Sequence, residues 1–298
     1  MKIESQEISL SLLKEKAIRL FVKRIDKMHP FIAGNKWYKL KYNLIEAKKQ
    51  QKKTVLTFGG AYSNHIAATA FATKENNLKS IGIIRGEEHF RLNPTLAFAK
   101  ANGMDLNYKS RSDYRTKKTS DFLVKLKQQF GEFYLIPEGG TNMLAIQGTV
   151  AILDKNDTHD IICCAVGTGG TMAGIINASN KQQTVIGFPA IKGIKQLEHD
   201  IRKWTNKENW KLINDYVFGG YAKLSDKLVD FIIDFNNKHQ ISLDAIYTGK
   251  MMLGILDLIS KDYFPKGSSI LVIHSGGLQG NKGMNERLGL SLPTNQYL

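Results

Sequence analysis

Short apolar runs alternate with longer amphipathic stretches along this chain of 298 residues. The runs rich in β-branched residues predict strands, and several are apolar at every position, which is typical of a parallel sheet covered on both faces. The longer stretches predict helices. The predicted strands are 54–58, 80–84, 133–136, 160–166, 184–188 and 268–274. The predicted helices are 64–75, 94–101, 114–130, 143–154, 171–179, 225–238 and 250–260.

This alternation predicts an α/β fold with an open, doubly wound parallel sheet. The length is enough for about two domains. No internal repeat, long linker or low-complexity tract divides the chain. We therefore expect two interleaved lobes.

Four predicted strands are followed by loops rich in glycine and hydroxyl groups. Ligands in open α/β sheets bind beyond the carboxyl ends of the strands, so loops at these positions are candidates for a binding site. The four loops are 59–65, 137–142, 167–171 and 275–280.

The loop from Gly167 to Thr171 has the clearest chemical pattern. An apolar strand leads into glycines and then into a predicted helix, so free N–H groups at the helix start can bind an anion. Thr168 and Thr171 add hydroxyl donors. The loop has neither the Gly-Lys-Ser/Thr of a P-loop nor the acidic residue of a dinucleotide site, which favours a compact phosphate. A tight turn without a ligand is the alternative.

Lys36 lies between apolar and aromatic residues, in the stretch from Phe31 to Tyr38. Desolvation in such surroundings can remove the charge of a lysine and make its amine nucleophilic. The alternative is an ordinary surface lysine, because lysine is the commonest charged residue of this chain.

Three further motifs each have a plain structural alternative. Ser63-Asn64-His65 and Tyr247-Thr248-Gly249-Lys250 could be helix caps, and His65 alone could be a structural histidine. His274-Ser275 ends a strand, where the hydroxyl group could bind a ring nitrogen or cap the loop. The sequence has no order of residues typical of a serine hydrolase and no paired carboxylates of a glycosidase.

The net charge of +15 is concentrated in one half of the chain. Residues 1–150 hold 26 Lys and Arg against 13 Asp and Glu, whereas residues 151–298 hold 16 against 14. Such an excess raises the alternative of a nucleic-acid-binding protein. However, arginine is scarce, and no known nucleic-acid-binding motif is present, so we expect no nucleic-acid partner.

Adjacent Cys163 and Cys164 point to opposite faces of a strand, so they cannot form an ordinary disulfide. They also lack metal-ligand spacing, so we expect no metal. The uncharged stretch 161–180 is long enough to span a membrane, but its glycines and polar residues favour a strand, a turn and a helix. Together with a start that lacks an apolar signal core, these features predict a cytoplasmic protein without a membrane partner.

Taken in order, the motifs resemble the pyridoxal-phosphate enzymes of the 1-aminocyclopropane-1-carboxylate deaminase and D-cysteine desulfhydrase family, over about residues 20–290. The resemblance implies a fold like the tryptophan-synthase β subunit, with open twisted parallel sheets and helices on both faces. It also implies a large domain of 1–39 and 149–298, an inserted small domain of 40–148, and a homodimer. The motifs are Gly34-Asn35-Lys36-Trp37-Tyr38-Lys39, Gly59-Gly60-Ala61-Tyr62-Ser63-Asn64-His65, 167–174, Tyr247-Thr248-Gly249-Lys250 and His274-Ser275-Gly276-Gly277.

The resemblance also implies a role for each motif residue. Lys36 would bind pyridoxal 5'-phosphate covalently and act as a base, with Ser63 and Tyr247 as further catalytic groups. Asn64 would bind the phenolic oxygen of the cofactor, and Ser275 its pyridine nitrogen. The phosphate would be held by Lys39, Gly167, Thr168, Gly169, Gly170 and Thr171. The substrate, a small amino acid, would contact Ser63, Asn64, His65 and Tyr247.

The implied reaction is elimination with deamination: D-cysteine gives pyruvate, sulfide and ammonia, or 1-aminocyclopropane-1-carboxylate gives 2-oxobutanoate and ammonia. Two residues depart from the family pattern. Tyr62 replaces the usual Gln, which puts substrate size and carboxylate contacts in question. Thr248 replaces the acid of the cyclopropane deaminases, and a neutral partner would leave the pyridine nitrogen less protonated. The sequence therefore favours the desulfhydrase activity.

Overall fold

The computed structural model describes residues 3–32, 34–88 and 91–294. Its strands form two sheets, one of six strands in the order β1-β2-β10-β7-β8-β9 and one of four in the order β5-β4-β3-β6. Only β1 and β2 pair antiparallel; all other pairs are parallel. The strands are β1 (Ser5–Ile8), β2 (Arg19–Lys23), β3 (Thr54–Gly60), β4 (Lys79–Arg85), β5 (Met104–Lys109), β6 (Tyr134–Ile136), β7 (Ile161–Val166), β8 (Thr184–Pro189), β9 (Trp210–Leu212) and β10 (Ser269–Ile273).

The helices pack on both faces of these sheets, and the predicted α/β fold with open parallel sheets is confirmed. The helices are α1 (Ser11–Glu15), α2 (Asn35–Lys49), α3 (Asn64–Glu75), α4 (Pro94–Ala101), α5 (Arg111–Arg115), α6 (Ser120–Phe130), α7 (Met143–Val150), α8 (Gly170–Ala178), α9 (Ile194–Arg202), α10 (Asp226–His239), α11 (Thr248–Ser260) and α12 (Gln279–Leu288).

One predicted helix is wrong in form. The stretch 114–130 is divided into α5 and α6, because the hydroxyl group of Thr119 accepts a hydrogen bond from the backbone N–H of Phe122 and starts a new helix there. Such a cap satisfies an N–H group that would otherwise lack a partner. The sequence analysis also missed β1, β2, β5, β9, α1, α2, α9 and α12.

Strand β7 lies at the centre of the large sheet and is buried at all six positions. Ile161, Cys163 and Ala165 pack on the face covered by α10 and α11, whereas Ile162, Cys164 and Val166 pack on the face covered by α8 and α9. The two cysteines are free thiols on opposite faces, as predicted. Burial raises the pKa of both, so they are inert core residues.

Helix α2 connects the two sheets. Its Tyr38 packs with the core of the large sheet, whereas Leu40 and Leu44 pack with the small sheet. The small sheet is built from residues 54–136, and the large sheet from residues 5–23 and 161–273. The domain boundaries at 39/40 and 148/149 stay a prediction. Over the described ranges, no helix combines the length and apolar character that crossing a bilayer requires.

Candidate active site

The four glycine-rich loops line one cavity of about 330 Å³ between the two sheets. They follow β3, β6, β7 and β10, so the carboxyl ends of strands from both sheets face the same space. This is where ligands bind in open α/β folds. The predicted site residues among the lining are Lys36, Lys39, Ser63, Asn64, His65, Gly167, Thr168, Gly169, Thr171, Tyr247 and Ser275.

Gly170 begins α8 and belongs to the wall of the cavity rather than to its lining. A methyl group there would lie 2.9 Å from Oγ1 of Thr141 and 3.3 Å from Nζ of Lys39. No side chain caps α8, in contrast to α3, α4 and α10. The first N–H groups of α8 therefore remain available to an anion, next to a lysine and two threonine hydroxyl groups.

Lys36 and Lys39 lie one turn apart on α2 and converge on the carbonyl oxygen of Gly139, with Nζ–O distances of 3.3 and 2.8 Å. Lys39 also donates to Oγ1 of Thr141 at 3.0 Å. Burial lowers the pKa of Lys36 to about 8. Burial and the neighbouring Lys36 lower the pKa of Lys39 well below its usual value. The desolvation expected for Lys36 is therefore present, and its amine is partly neutral near physiological pH.

Ser63 and Asn64 start α3 at the cavity wall. The hydroxyl group of Ser63 caps the helix by accepting from the N–H of Ile66 at 3.3 Å. The side chain of Asn64 lies against Gly277. Its Oδ1 atom is buried and has no hydrogen-bond partner among the described residues. A buried polar atom without a partner is costly, which points to a ligand atom at this position.

His65 is neutral, and its hydrogen bonds fix its tautomer. Thr57 donates its one hydroxyl proton to the carbonyl oxygen of Ile136, so it accepts from Nε2 of His65 at 2.8 Å. The other ring nitrogen, Nδ1, faces Gly140 and has no partner within the described part of the chain. Burial and the charges of Lys36 and Lys39 hold the pKa of His65 well below its usual value.

Tyr247 precedes α11, and the carboxylate of Asp244 fixes its backbone. Asp244 accepts from the N–H groups of Ile246, Tyr247 and Thr248 at 2.8–2.9 Å. The ring of Tyr221 meets that of Tyr247 edge to face, with the centroids 6.3 Å apart. Burial, Tyr221 and Asp244 raise the pKa of Tyr247 well above its usual value, so its hydroxyl group stays protonated.

Ser275 is held by its neighbours in the loop after β10. His274 accepts from the N–H of Gly276 at 3.2 Å and donates from Nε2 to the carbonyl oxygen of Ser242 at 2.7 Å. The carbonyl oxygen of Ser275 accepts from the N–H of Asn35 at 3.3 Å. These bonds tie Ser275 to the start of the helix that carries Lys36.

The two departures from the family pattern, Tyr62 and Thr248, lie outside the cavity lining. The hydroxyl group of Thr248 donates to Oδ1 of Asp244 at 2.7 Å and is fully buried there. Tyr62 packs its ring onto α12, where a side chain at Gly283 would overlap it. Neither side chain takes up space in the cavity.

Three cavity residues with polar side chains were not named as site residues by the sequence analysis, although one of them, Glu138, lies in the predicted loop 137–142. Arg85 ends β4, Glu138 follows β6, and Tyr221 lies in the loop between β9 and α10. Nor was Thr141 named as a site residue; its hydroxyl group lies 2.5 Å from that of Thr168. Arg85 ends a strand and Glu138 follows one closely, so their positions at strand ends were a signal in the sequence. For Tyr221 the signal was the preceding pair Gly219-Gly220.

Comparisons with known proteins agree with this geometry. A family model described as "Pyridoxal-phosphate dependent enzyme" matches residues 4–276. A Thermotoga maritima protein with the provisional name 1-aminocyclopropane-1-carboxylate deaminase is 31% identical over 94% of this chain and 95% of its own. The Arabidopsis thaliana bifunctional D-cysteine desulfhydrase/1-aminocyclopropane-1-carboxylate deaminase is 29% identical over 88% of this chain and 73% of its own. The crystal structure of an ACC deaminase homologue superposes with a TM-score of 0.82 at 26% identity, covering 97% of this chain and 93% of the other.

Proposed function

The chain belongs to the family of pyridoxal-phosphate-dependent enzymes, and we propose that it acts within that family as a D-cysteine desulfhydrase. In this reaction D-cysteine and water give pyruvate, hydrogen sulfide and ammonia. Two relatives carry this activity in their names, from Arabidopsis thaliana at 29% identity and from Klebsiella pneumoniae at 24% identity.

One observation carries the proposal: a desolvated lysine, an uncapped glycine-rich helix start and a buried asparagine oxygen without a partner share one cavity. These are a nucleophilic amine, an anion site and an acceptor for a bound hydroxyl group. Pyridoxal phosphate presents an aldehyde, a phosphate and a phenol, so the residues present fit the cofactor.

Each part of the cofactor has residues that would hold it. Lys36 would bind it covalently, and Asn64 would contact its phenolic oxygen. Ser275 would contact the pyridine nitrogen. The phosphate would lie at Gly167 to Thr171, with Lys39 supplying the positive charge.

Bound pyridoxal phosphate supplies an electron sink for the bonding electrons of Cα. When its amine is not bound to the cofactor, Lys36 would accept the proton from Cα of the substrate, and burial favours the neutral form of the amine that this requires. Tyr247 keeps its proton and donates a hydrogen bond toward the leaving sulfur. The N–H groups of Asn64 and His65, which the Ser63 cap leaves without a partner among the described residues at the start of α3, would bind the substrate carboxylate.

A second candidate is 1-aminocyclopropane-1-carboxylate deamination, in which the ring opens and water releases 2-oxobutanoate and ammonia. The provisional names of the Thermotoga and Pyrococcus relatives favour it.

We further propose the division into a large domain (1–39 and 149–298) and a small domain (40–148), a homodimer, and a location in the cytoplasm. The basic excess of residues 1–150 requires no nucleic-acid partner. Lys36 and Lys39 would meet a small anion, Lys23 is buried against Asp154 and Asp157, and most of the other lysines lie at the solvated surface.

The test compares substrates on the protein reconstituted with pyridoxal phosphate. D-cysteine, L-cysteine, D-serine and 1-aminocyclopropane-1-carboxylate are supplied in turn, and the 2-oxo acid and ammonia are measured. We expect the highest kcat/KM with D-cysteine. Fastest turnover of the cyclopropane acid would replace the first candidate with the second. A colourless protein that ignores added cofactor would refute both.

The role of Lys36 is tested by borohydride reduction, which should fix the mass of the cofactor on this residue. Lys36→Ala should abolish the adduct. Lys41→Ala is the matched control, because Lys41 lies on the same helix but is exposed to solvent. It should keep the adduct.

A further inference from the structure

Arg85 brings a positive charge to the mouth of the cavity. It is the last residue of β4 and pairs with Gly60, the last residue of β3. A methyl group at Gly60 would lie 3.7 Å from Nη2 of Arg85, so the guanidinium group lies beside the glycine that lines the cavity. The Arg85 side chain is exposed and forms part of the same lining.

Within the described ranges 3–32, 34–88 and 91–294, this guanidinium group forms no ion pair with a carboxylate. Its charge acts instead on the hydroxyl groups of Tyr114 and Tyr221, where it opposes the rise in pKa that burial causes. The one acidic side chain of the described cavity lining, Glu138, is already engaged: it accepts from the hydroxyl group of Tyr114 at 2.9 Å and pairs with Lys117 at 3.2 Å. Arg85 is therefore a cation that lines the cavity without a carboxylate partner among the described residues.

Under the proposed function, the other anion-binding groups of the cavity each have an anionic group of the cofactor or the substrate to bind. The phosphate of the cofactor would lie against Lys39 and the start of α8. The carboxylate of the substrate would lie against the start of α3. The phosphate site follows β7 and the carboxylate site follows β3. Arg85 is at the end of a different strand, β4, so neither of these two sites includes it.

We propose that Arg85 binds a second anionic group on the β-substituent of the substrate. The inference rests on the proposed function and widens it: besides D-cysteine, the cavity would accept β-substituted D-alanines whose substituent carries a carboxylate or sulfonate. A guanidinium group binds such planar or trigonal oxyanions through two parallel hydrogen bonds. At the mouth of the cavity the substituent extends toward solvent, so its length is little restricted.

The test uses two ligands that differ in charge and hardly in size, S-carboxymethyl-D-cysteine and S-carbamoylmethyl-D-cysteine. Their dissociation constants are measured on the holoenzyme from the change in cofactor absorbance, and kcat/KM from the pyruvate released. Because Arg85 is exposed, solvent screens the charge pair, and the difference is about 2- to 5-fold. We expect the acid to bind more tightly than the amide by at least the lower of these factors.

Arg85→Met should abolish this preference, and Arg85→Lys should keep part of it. Lys109→Met is the matched control, since Lys109 pairs with Arg85 on the neighbouring strand β5 but lies outside the cavity lining. It should leave the preference unchanged.

Three results would overturn the proposal. The wild-type enzyme could bind acid and amide equally, or Arg85→Met could keep the preference. Arg85→Met could also weaken both ligands by the same factor, which would place Arg85 at the α-carboxylate that they share. Turnover of D-cysteine by the wild-type enzyme reports separately on the proposed function, because the dissociation constants can be read without it.

Discussion

Gly34 offers a sharp test of how the lysine-bearing helix is placed. It precedes α2 with φ 65° and ψ −137°, a conformation that side chains avoid. It also touches the loop after β10: a methyl group at this position would overlap the carbonyl group of Ser275 and stand 2.7 Å from the nitrogen of Gly276. Gly34→Ala therefore adds both backbone strain and a collision.

The chain contains a matched control for the strain alone. Gly131, at the end of α6, has φ 71° and ψ −147°, but a methyl group there would meet no atom within 4 Å. The backbone strain of a side chain in this conformation costs about 1–3 kcal/mol of stability at either position. The collision at Gly34 adds about 1–3 kcal/mol, as overpacking does in a closed core. Gly34→Ala should then destabilise by about 2–6 kcal/mol and Gly131→Ala by about 1–3 kcal/mol.

Chemical unfolding measures both free energies, and kcat/KM measures the consequence for the site. Relief of the collision moves Ser275 or the start of α2 by about 1 Å, and a displacement of this size costs about 100-fold in activity. Gly131→Ala should keep its activity, since Gly131 lies outside the cavity lining and a methyl group there meets no atom within 4 Å. Equal destabilisation by the two substitutions, or full activity of Gly34→Ala, would refute the reasoning.

Two further results are expected. Because burial lowers the pKa of Lys36 to about 8, its neutral fraction rises with pH below that value and then levels off; the rate of cofactor capture by the apoprotein should rise about tenfold per unit from pH 6 and become flat above pH 8. A rate that still climbs to pH 10, as for an ordinary lysine, would contradict this. Lys250→Met should destabilise the protein by about 1–3 kcal/mol and lower kcat, because the buried ammonium group donates to the carbonyl oxygens of Val217 and Gly220 at 3.0 and 2.7 Å and so holds the loop that carries Tyr221. Lys223→Met changes an exposed residue of the same loop, so it should change neither the unfolding free energy nor kcat. Equal effects of the two substitutions would contradict the proposed role of the Lys250 hydrogen bonds.

The hydrophobic pattern was sufficient for the buried strands and insufficient for the elements at the edges. Strand β7 is apolar at every position because both its faces are covered, and this is visible in the sequence. Strand β5 lies at the edge of the small sheet, and polar Asp105 and Asn107 alternate with its apolar residues. Its sequence therefore resembles that of a loop. Helix α2 was missed because five of its residues are lysines, two of which point into the cavity and not to solvent.

The loops after the strands were predictable because their chemistry is local. A strand followed by glycines and a helix start has free N–H groups wherever it folds, so Gly167 to Thr171 could be recognised without coordinates. The order of the motifs then identified the family. The environment of Thr248 was not predictable in this way, because no motif in the sequence marks Asp244 as its hydrogen-bond partner.

The sequence by itself thus determined the α/β class, the cofactor family and the motif residues that meet in the cavity. The tertiary structure decided which other side chains join them. Arg85, Glu138 and Tyr221 come from a strand end and two loops that lie far apart in the chain, and only the order of strands in the two sheets brings them to one cavity. The physical reason is range: turns, caps and strand patterns depend on neighbours in sequence, whereas burial, pKa and unpaired charge depend on neighbours in space.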